Sequence, residues 1–312
     1  MLAFSTCWNT GTHDDGEGII NEILELGFDH IELSHGMTIT KLPGLLRAYE
    51  NKLFTCTGVH NFFPSPTEVI MDAPDAYEYT SFREFERTRA YNLTLKSFET
   101  AARFDAKYIV LHMGANHKMP KSKWTKVLEQ YIKEGFEEPK NEKKFTKHYD
   151  KFLKKREKTA GIYMKRAMYF LGELEQKAGE FGLKLAIESR SHYEQVPTES
   201  EMITIQEHFA DSPQVGYWHD FGHVHRKHNL GFLDHKEWLD KVSPYLIGGH
   251  FHDVQWPQRD HRVPFQGEIP YEDLMHHFPK ELPLVWELSP RRKAEDIKEA
   301  LTEWKTKFPN TL

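Results

Sequence analysis

The sequence predicts a single (β/α)8 barrel, and three observations support this fold class. Short runs of β-branched or large apolar residues alternate with longer amphipathic segments, which is the pattern of buried parallel strands joined by helical crossovers. Eight such runs are present, and eight strands close a barrel of this kind. The length of 312 residues suits one barrel with an insertion. We therefore expect one domain over residues 1–312.

The elements follow one another in chain order. Strands are predicted at residues 2–8, 30–33, 54–60, 108–112, 183–188, 215–219, 246–250 and 284–288. Helical stretches are predicted between or after them at residues 18–26, 82–104, 162–181 and 294–304. Gly27 and Gly182 stand directly after two of these helices and before the next strand, where a left-handed C-cap is expected.

A lysine-rich segment, residues 118–158, interrupts the alternation after the fourth predicted strand. It contains 13 Lys and one Arg against seven Asp or Glu, whereas the whole chain has a net charge of −6. A charge run of this kind is usually a solvated surface. We therefore predict a helical insertion near the barrel rim. A lid over the site and an anion-binding surface are the alternatives.

Composition narrows the class of protein. Cys7 and Cys56 are far apart and show no CxxC spacing, which argues against a disulfide scaffold or a thiolate zinc site and favours the reducing cytoplasm. No apolar run approaches the ~18 residues of a membrane helix, and the N-terminus lacks a signal-peptide pattern. The net charge of −6 makes a nucleic-acid partner unfavourable. The sequence leaves the oligomeric state open, and a homo-oligomer is among the possibilities.

Six consecutive predicted strands, the third to the eighth, end in imidazole or carboxylate side chains. These residues are His60, His112, Glu188, Asp220, His250 and Glu287. In a barrel of parallel strands, polar residues at the carboxyl ends face the active site. Burying six such groups without partners would be costly, so a bound divalent ion is the economical explanation. Nitrogen and oxygen ligands without sulfur suit Mn, Zn, Co or Mg.

These residues give the chain a specific resemblance. It resembles the xylose-isomerase-like TIM-barrel superfamily, which joins sugar isomerases and epimerases with the endonuclease IV family. The resemblance covers all eight β/α units apart from the insertion. In the tagatose/psicose-3-epimerase branch, four residues from the fifth to the eighth strands hold one metal ion. The resemblance implies that the corresponding ligands are Glu188, Asp220, His250 and Glu287.

The same branch implies residues that contact the substrate. Its Glu six residues after the first ligand and its His three residues after the Asp correspond to Glu194 and His223. An Arg that follows the seventh strand in that branch maps onto His261. Because the side chain differs at this position, the resemblance does not identify the substrate. We also expect His60 and His112 to bind substrate, with metal ligation and a structural role as alternatives.

The resemblance to endonuclease IV implies a different site. That family binds three zinc ions with additional histidines, whose counterparts here are His60, His112, His223 and His261. Arg259 stands where the family has a ligating Asp, and Asp260 follows it. The loop 60–75 is acidic and rich in proline, whereas a DNA-binding loop should be basic. One metal ion is therefore preferred over three.

The favoured function is a metal-dependent isomerase or epimerase of a sugar or keto-sugar. The ion would stabilise an enediolate, while Glu188 and Glu287 exchange a proton with the substrate as catalytic residues. A lyase or dehydratase with the same chemistry and an endonuclease IV-like phosphodiesterase are the alternatives. The chain has no glycine-rich phosphate cradle, which favours a free sugar. An apolar wall for the sugar is expected from Trp8, Phe62, Trp218 or Trp256.

Overall fold

The computed structural model describes residues 1–69, 74–119, 123–133, 143–257 and 259–312. Eight parallel strands form a closed barrel, which confirms the predicted fold class. They are β1 (Leu2–Ser5), β2 (His30–Leu33), β3 (Thr55–His60), β4 (Tyr108–Leu111), β6 (Lys184–Glu188), β8 (Val215–Asp220), β9 (Leu246–Phe251) and β12 (Leu284–Trp286). Two antiparallel pairs lie outside the barrel: β5 (Gly114–Ala115) with β7 (Gln195–Val196), and β10 (Asp253–Gln255) with β11 (Arg259–Arg262).

Each predicted strand is present, with small differences at its ends. The first is shorter than predicted, because Thr6–Trp8 form a 3-10 turn after Ser5. The α-helices in the described part of the chain are α1 (Gly16–Leu26), α2 (Leu42–Glu50), α3 (Glu84–Ala102), α4 (Lys123–Lys133), α5 (Lys143–Phe181), α6 (Glu199–His208), α7 (Phe221–Asn229), α8 (His235–Val242), α9 (Tyr271–Leu274) and α10 (Ala294–Lys307). Gly27 has φ = 100° and Gly182 φ = 66°, so both adopt the predicted left-handed conformation.

The helix predicted at residues 162–181 is longer than expected. It is the C-terminal half of α5, which has 39 residues and is therefore about 58 Å long at 1.5 Å per residue. Gly161 lies inside this helix rather than before it, and a Cβ there would meet open space. Its cost to the helix is the loss of about 1 kcal/mol relative to alanine, which the burial of Tyr163, Ala167, Leu171 and Leu174 offsets.

The lysine-rich insertion is helical where it is described. Residues 120–122 and 134–142 of the predicted segment 118–158 lie outside the described residues. Helix α4 and the first half of α5 share a small core with the end of α7, made of Met119, Leu128, Phe145, Phe152 and Leu230. Arg156 of α5 pairs with Glu201 at 2.7 Å and ties the insertion to α6. The segment is therefore packed onto the barrel as well as solvated.

Successive side chains of each strand point alternately into the barrel and away from it. The lower interior of the barrel is filled by a layer that includes Ala3, Tyr108, Val110, Ala186, Trp218 and Val285. Residues two positions further along the same strands point to the same side and reach the carboxyl-terminal rim. Among the described helices, none combines the length and apolar character of a membrane span.

Candidate metal centre and its cavity

Four side chains converge at the carboxyl-terminal rim of the barrel. Glu188 ends β6, Asp220 ends β8, His250 lies in β9, and Glu287 directly follows β12. One ligand atom from each lies within 4.8 Å of the others. Nδ1 of His250 is 3.1 Å from Oε1 of Glu188 and 3.3 Å from Oε2 of Glu287. This is the set that the sequence predicts as metal ligands, and its spacing could hold one ion.

Side chains alternate between the two faces of a strand, and this alternation explains the direction of each of these residues. Asp220 points into the barrel above Trp218, whereas His219 points outward. Nε2 of His219 lies 2.9 Å from Nε2 of His235, and its Nδ1 lies 2.9 Å from the hydroxyl oxygen of Tyr217. His219 is therefore a buried structural residue behind the site, as the alternation predicts.

The three carboxyl groups stay ionised although they are buried. Burial alone raises the pKa of Glu188, but His112, His250 and His60 outweigh it and hold this pKa well below its usual value. The pKa of Glu287 is likewise held well below its usual value, because His250 and His261 outweigh burial. For Asp220, neighbouring histidines outweigh burial and lower the pKa. Three buried negative charges so close together favour the binding of a cation between them.

Glu32 was missed in the sequence and lies beside this set. It is fully buried, its Oε1 is 3.1 Å from Nε2 of His250, and its Oε2 accepts a hydrogen bond of 3.1 Å from the hydroxyl of Tyr108. Nε2 of His250 is thereby occupied and Nδ1 faces the other ligands. A carboxylate that holds the second nitrogen of a ligating histidine orients the ring. The sequence feature that could have identified Glu32 is a single acidic residue next to the apolar residues of strand β2.

His60 and His112 lie against Glu188 on the side of β3 and β4. Nε2 of His112 forms a short hydrogen bond with Oε2 of Glu188, and Nε2 of His60 is 3.7 Å from the same oxygen. Two residues that sequence reasoning missed hold this arrangement. Asp75 accepts a hydrogen bond of 3.0 Å from Nη2 of Arg190 and has Nδ1 of His112 at 3.0 Å. Arg190 also donates to Glu188 at 3.3 Å.

His223 and His261 lie on the opposite side, next to His252. The backbone N–H of His223 donates to Oδ1 of Asp220 at 2.7 Å, and Nε2 of His261 is 3.5 Å from Oε2 of Glu287. The rings of His252 and His261 stack with 4.0 Å between centroids. Burial lowers the pKa of His223 to about 4, so this imidazole is neutral at pH 7. The structure thus brings His223 and His261, two of the four histidines predicted to bind substrate, to the site.

Glu194 is not brought to the site. It is fully buried, and its Oε1 accepts hydrogen bonds of 3.1 Å from the backbone N–H groups of Trp124 and Thr125. Its Oε2 accepts one of 2.6 Å from the hydroxyl of Thr125. These groups lie at the start of α4, where a carboxylate is favourable. The lysine-rich insertion supplies this helix, so the prediction that Glu194 contacts substrate is replaced by a structural role.

A cavity of about 790 Å³ opens at Glu188 and Glu287, two of the four candidate ligands. It is lined by Cys7, His35, His60, Pro74, Asp75, His112, Glu188, Arg190, Ser191, His192, Gln195, His223, Asp260, His261, Glu287, Leu288, Ser289, Pro290, Arg291 and Arg292. The predicted apolar wall is wrong, because none of its four aromatic residues is in this set. Trp218 lies in the layer below the ligands, and the ring of Trp8 packs edge-on against Phe4.

Comparisons with known proteins agree with this architecture. The family model described as "Xylose isomerase-like TIM barrel" matches residues 20–306. Among solved structures, a D-tagatose 3-epimerase-like protein superposes with a TM-score of 0.68 and 15% identity, and the match covers 99% of this chain and 97% of that one. A search of curated proteins gives no match.

Two further structures show the same likeness. The 3-keto-D-glucoside 4-epimerase from E. coli has a TM-score of 0.67 and 16% identity, with 98% of each chain covered. The D-psicose 3-epimerase from Clostridium cellulolyticum H10 has a TM-score of 0.66 and 13% identity, also with 98% of each chain covered. At these identities the likeness concerns the fold.

Proposed function

Because this chain belongs to the xylose isomerase-like TIM barrel family, we propose that it is a divalent-metal-dependent isomerase or epimerase of a sugar or keto-sugar. One observation carries the proposal. Four potential ligands from four successive barrel strands, Glu188, Asp220, His250 and Glu287, place their donor atoms within 4.8 Å of one another, and two of them, Glu188 and Glu287, line an open cavity.

The donor set suits a single divalent ion. Three carboxylates and one imidazole offer oxygen and nitrogen but no sulfur, a donor set that Mn, Zn, Co and Mg can each occupy. The three ionised carboxylates would be partly neutralised by such an ion, and Glu32 already orients His250 as a ligand. When bound, the metal supplies Lewis-acid stabilisation of negative charge on a substrate carbonyl oxygen.

The chain's own residues supply the proton transfer. In the barrel order, β9 and β8 separate β12 from β6, so Glu287 and Glu188 approach the cavity from opposite sides. In the proposed reaction, one carboxylate removes the proton from the carbon next to the carbonyl. The other then returns a proton, either to the opposite face of the same carbon, which gives an epimer, or to the neighbouring carbon, which gives an isomer.

The surrounding histidines position the substrate in this proposal. His60 and His112 border the Glu188 side, whereas His223 and His261 border the Asp220 and Glu287 side. Nε2 of His60 and Nε2 of His223 can bind the hydroxyl oxygens of a polyhydroxylated substrate, whereas both ring nitrogens of His112 are engaged with Asp75 and Glu188. The hydrogen bonds of Asp75 with His112 and Arg190 hold the His112 ring in place.

A second candidate function is an endonuclease IV-like phosphodiesterase. It is favoured by the further groups His223, His252 and His261, and His60, Glu188 and His250, whose donor atoms are also close enough to share an ion. Against it, Asp260 is held by Arg226 at 3.0 Å. The side chain of Arg259 lies outside the described residues.

Exchange of substrate protons with solvent deuterium tests the proposed function. Ketoses such as tagatose and psicose, together with keto-acids, are incubated with the Mn, Mg, Co or Zn form in D2O and followed by NMR. The proposal expects loss of one proton signal next to the carbonyl in at least one substrate. Cleavage of an abasic DNA duplex without any such exchange would favour the phosphodiesterase.

A further inference from the structure

We propose that His192 is a further substrate-binding residue, whose Nε2 forms a hydrogen bond with a hydroxyl group of the sugar at a distance from its carbonyl. This inference rests on the proposed function, because it places the sugar in the same cavity. It gives His192 the substrate contact that the sequence predicts for Glu194. Three properties of His192 support it: the position of the residue in the cavity wall, the contacts that hold it, and its lack of charge.

The loop after β6 forms part of the cavity wall. Ser191, His192 and Gln195 of this loop line the cavity, whereas Glu194 does not. The carboxylate of Glu194 is turned away from the cavity and accepts hydrogen bonds from the start of α4. The insertion has therefore removed a carboxylate from the residues that can contact the sugar. His192, two residues earlier on the same loop, supplies a polar ring to the wall instead.

The backbone of His192 is fixed by Gln195. Its N–H donates to Oε1 of Gln195 at 3.0 Å, and its carbonyl accepts a hydrogen bond of 2.9 Å from the N–H of Gln195. Gln195 belongs to β7, which pairs with β5, and its carbonyl accepts a bond of 3.0 Å from Nη2 of Arg156. The loop is thus tied to regular structure on both sides, and a residue held in this way can define a binding geometry.

The ring of His192 uses one nitrogen to hold its orientation. Nδ1 lies 2.8 Å from Oγ of Ser191, whereas Nε2 has no hydrogen-bond partner in the described part of the chain. Because His192 lines the cavity, Nε2 is available to a ligand there. The hydroxyl group of Ser191 can donate or accept, so Nε2 can be the acceptor or the donor of the second bond.

The ring is neutral at pH 7. Burial, together with the neighbouring positive charge of Arg226, lowers the pKa of His192 to about 3. A neutral imidazole donates one hydrogen bond and accepts one, which suits a hydroxyl group. A site that bonds a substrate hydroxyl discriminates against the analogue without it, because its own polar group is then left without a partner. His192 should therefore select for one hydroxyl position of the sugar.

Calorimetric binding of matched ketoses to the manganese-loaded protein tests the inference. The probes are D-psicose and its 4-, 5- and 6-deoxy forms, each of which lacks one hydroxyl group away from the carbonyl. We expect at least one deoxy form to bind the native protein about 3–10-fold more weakly than D-psicose, as the loss of one neutral hydrogen bond implies. For one such form the difference should disappear in His192→Leu, because both partners of the bond are then absent.

Three controls separate this contact from other effects. His192→Gln should keep part of the difference, because an amide can still form a hydrogen bond with a hydroxyl group. His208→Leu, at an exposed position of α6, is the matched substitution and should keep all of it. Manganese affinity should be unchanged in every variant, which excludes damage to the metal centre as the cause.

The outcomes separate this inference from the proposed function. Differences that persist in full in His192→Leu would overturn the inference, and so would the absence of D-psicose binding to the native protein. Exchange of substrate deuterium together with unchanged discrimination in His192→Leu would support the reaction and assign the hydroxyl group to other residues. A difference lost in His192→Leu without exchange in any ketose would leave His192 as a sugar-binding residue and overturn the proposed reaction.

Discussion

Nε2 of His250 lies 3.1 Å from Oε1 of Glu32, and both side chains are fully buried. This pair determines which nitrogen of His250 faces Glu188, Asp220 and Glu287. Glu32 belongs to β2, which is not among the four strands that carry the candidate ligands. The candidate metal centre therefore depends on a residue that has no ligand atom in the group of four.

The first prediction concerns this supporting residue. Glu32→Gln removes the negative charge that orients His250, and loss of such a partner should weaken metal affinity about 10–100-fold. Competition with a chromogenic chelator measures the change. Glu25→Gln, at an exposed position of α1, is the matched control and should leave affinity unchanged. Equal affinity in both variants would mean that Glu32 does not support the centre.

The second prediction concerns the proton transfer. Glu188→Gln and Glu287→Gln should each abolish exchange of the substrate proton with deuterium, because an amide cannot act as a base at neutral pH. His219→Ala should affect exchange much less, since His219 contacts Tyr217 and His235 behind the site. NMR on metal-loaded protein measures the rates, and metal content is determined for each variant. Near-wild-type exchange in both glutamine variants would exclude these carboxylates from the reaction.

The third prediction concerns the number of metal ions. We expect about one tightly bound equivalent per chain and no cleavage of abasic DNA, because three clustered divalent ions would need more carboxylates than Glu188, Asp220 and Glu287 provide. Elemental analysis after dialysis gives the count, with and without added zinc. Three equivalents together with strand cleavage would make the phosphodiesterase the correct function.

The fourth prediction concerns the attachment of the insertion. Arg156 donates to both carboxylate oxygens of Glu201 and to the carbonyls of Tyr193 and Gln195. Arg156→Met removes the guanidinium from the partly buried Glu201, which keeps its hydrogen bond from the backbone N–H of Thr198, and should lower the free energy of unfolding by about 3 kcal/mol, the lower end for a buried pair. Denaturant unfolding measures this. Lys177→Met, in an exposed pair with Glu180, should leave the same quantity nearly unchanged, because exposed ion pairs contribute little to stability.

The fifth prediction concerns acid stability. Burial lowers the pKa of His225 to about 4, against about 6.5 in an unfolded chain. Between these values the unfolded state binds the proton and the folded state does not, so stability falls as pH drops from about 6.5 to 4. His225→Gln should reduce this slope by up to about 1.4 kcal/mol per pH unit. Unfolding curves of the two proteins across this range measure the difference in slope.

The barrel and its four candidate ligands could be predicted because strand alternation and strand ends are local properties of the sequence. Asp220 and His219 were placed on opposite sides by the period of two alone. Glu32 and Asp75 could not be predicted in the same way. Their partners, His250 and His112, are distant in sequence, and only closure of the barrel brings them together.

The position of Glu194 shows a second kind of feature that spacing along the sequence could not predict. Its offset from Glu188 matches the resemblance, but the lysine-rich insertion places the start of α4 on its carboxylate. An insertion changes the surroundings of a residue without changing its spacing along the chain. The predicted aromatic wall was wrong for a different reason in the case of Trp218, which shares the inward face of β8 with Asp220 but lies one layer below it.

Anomalous diffraction from crystals of the manganese-loaded protein tests the central claim most directly. The account predicts one strong peak at about 2.0–2.4 Å from an atom of each of Glu188, Asp220, His250 and Glu287, with Nδ1 of His250 as the nitrogen ligand. A peak elsewhere in the cavity, or full manganese loading without contact to these four residues, would contradict it.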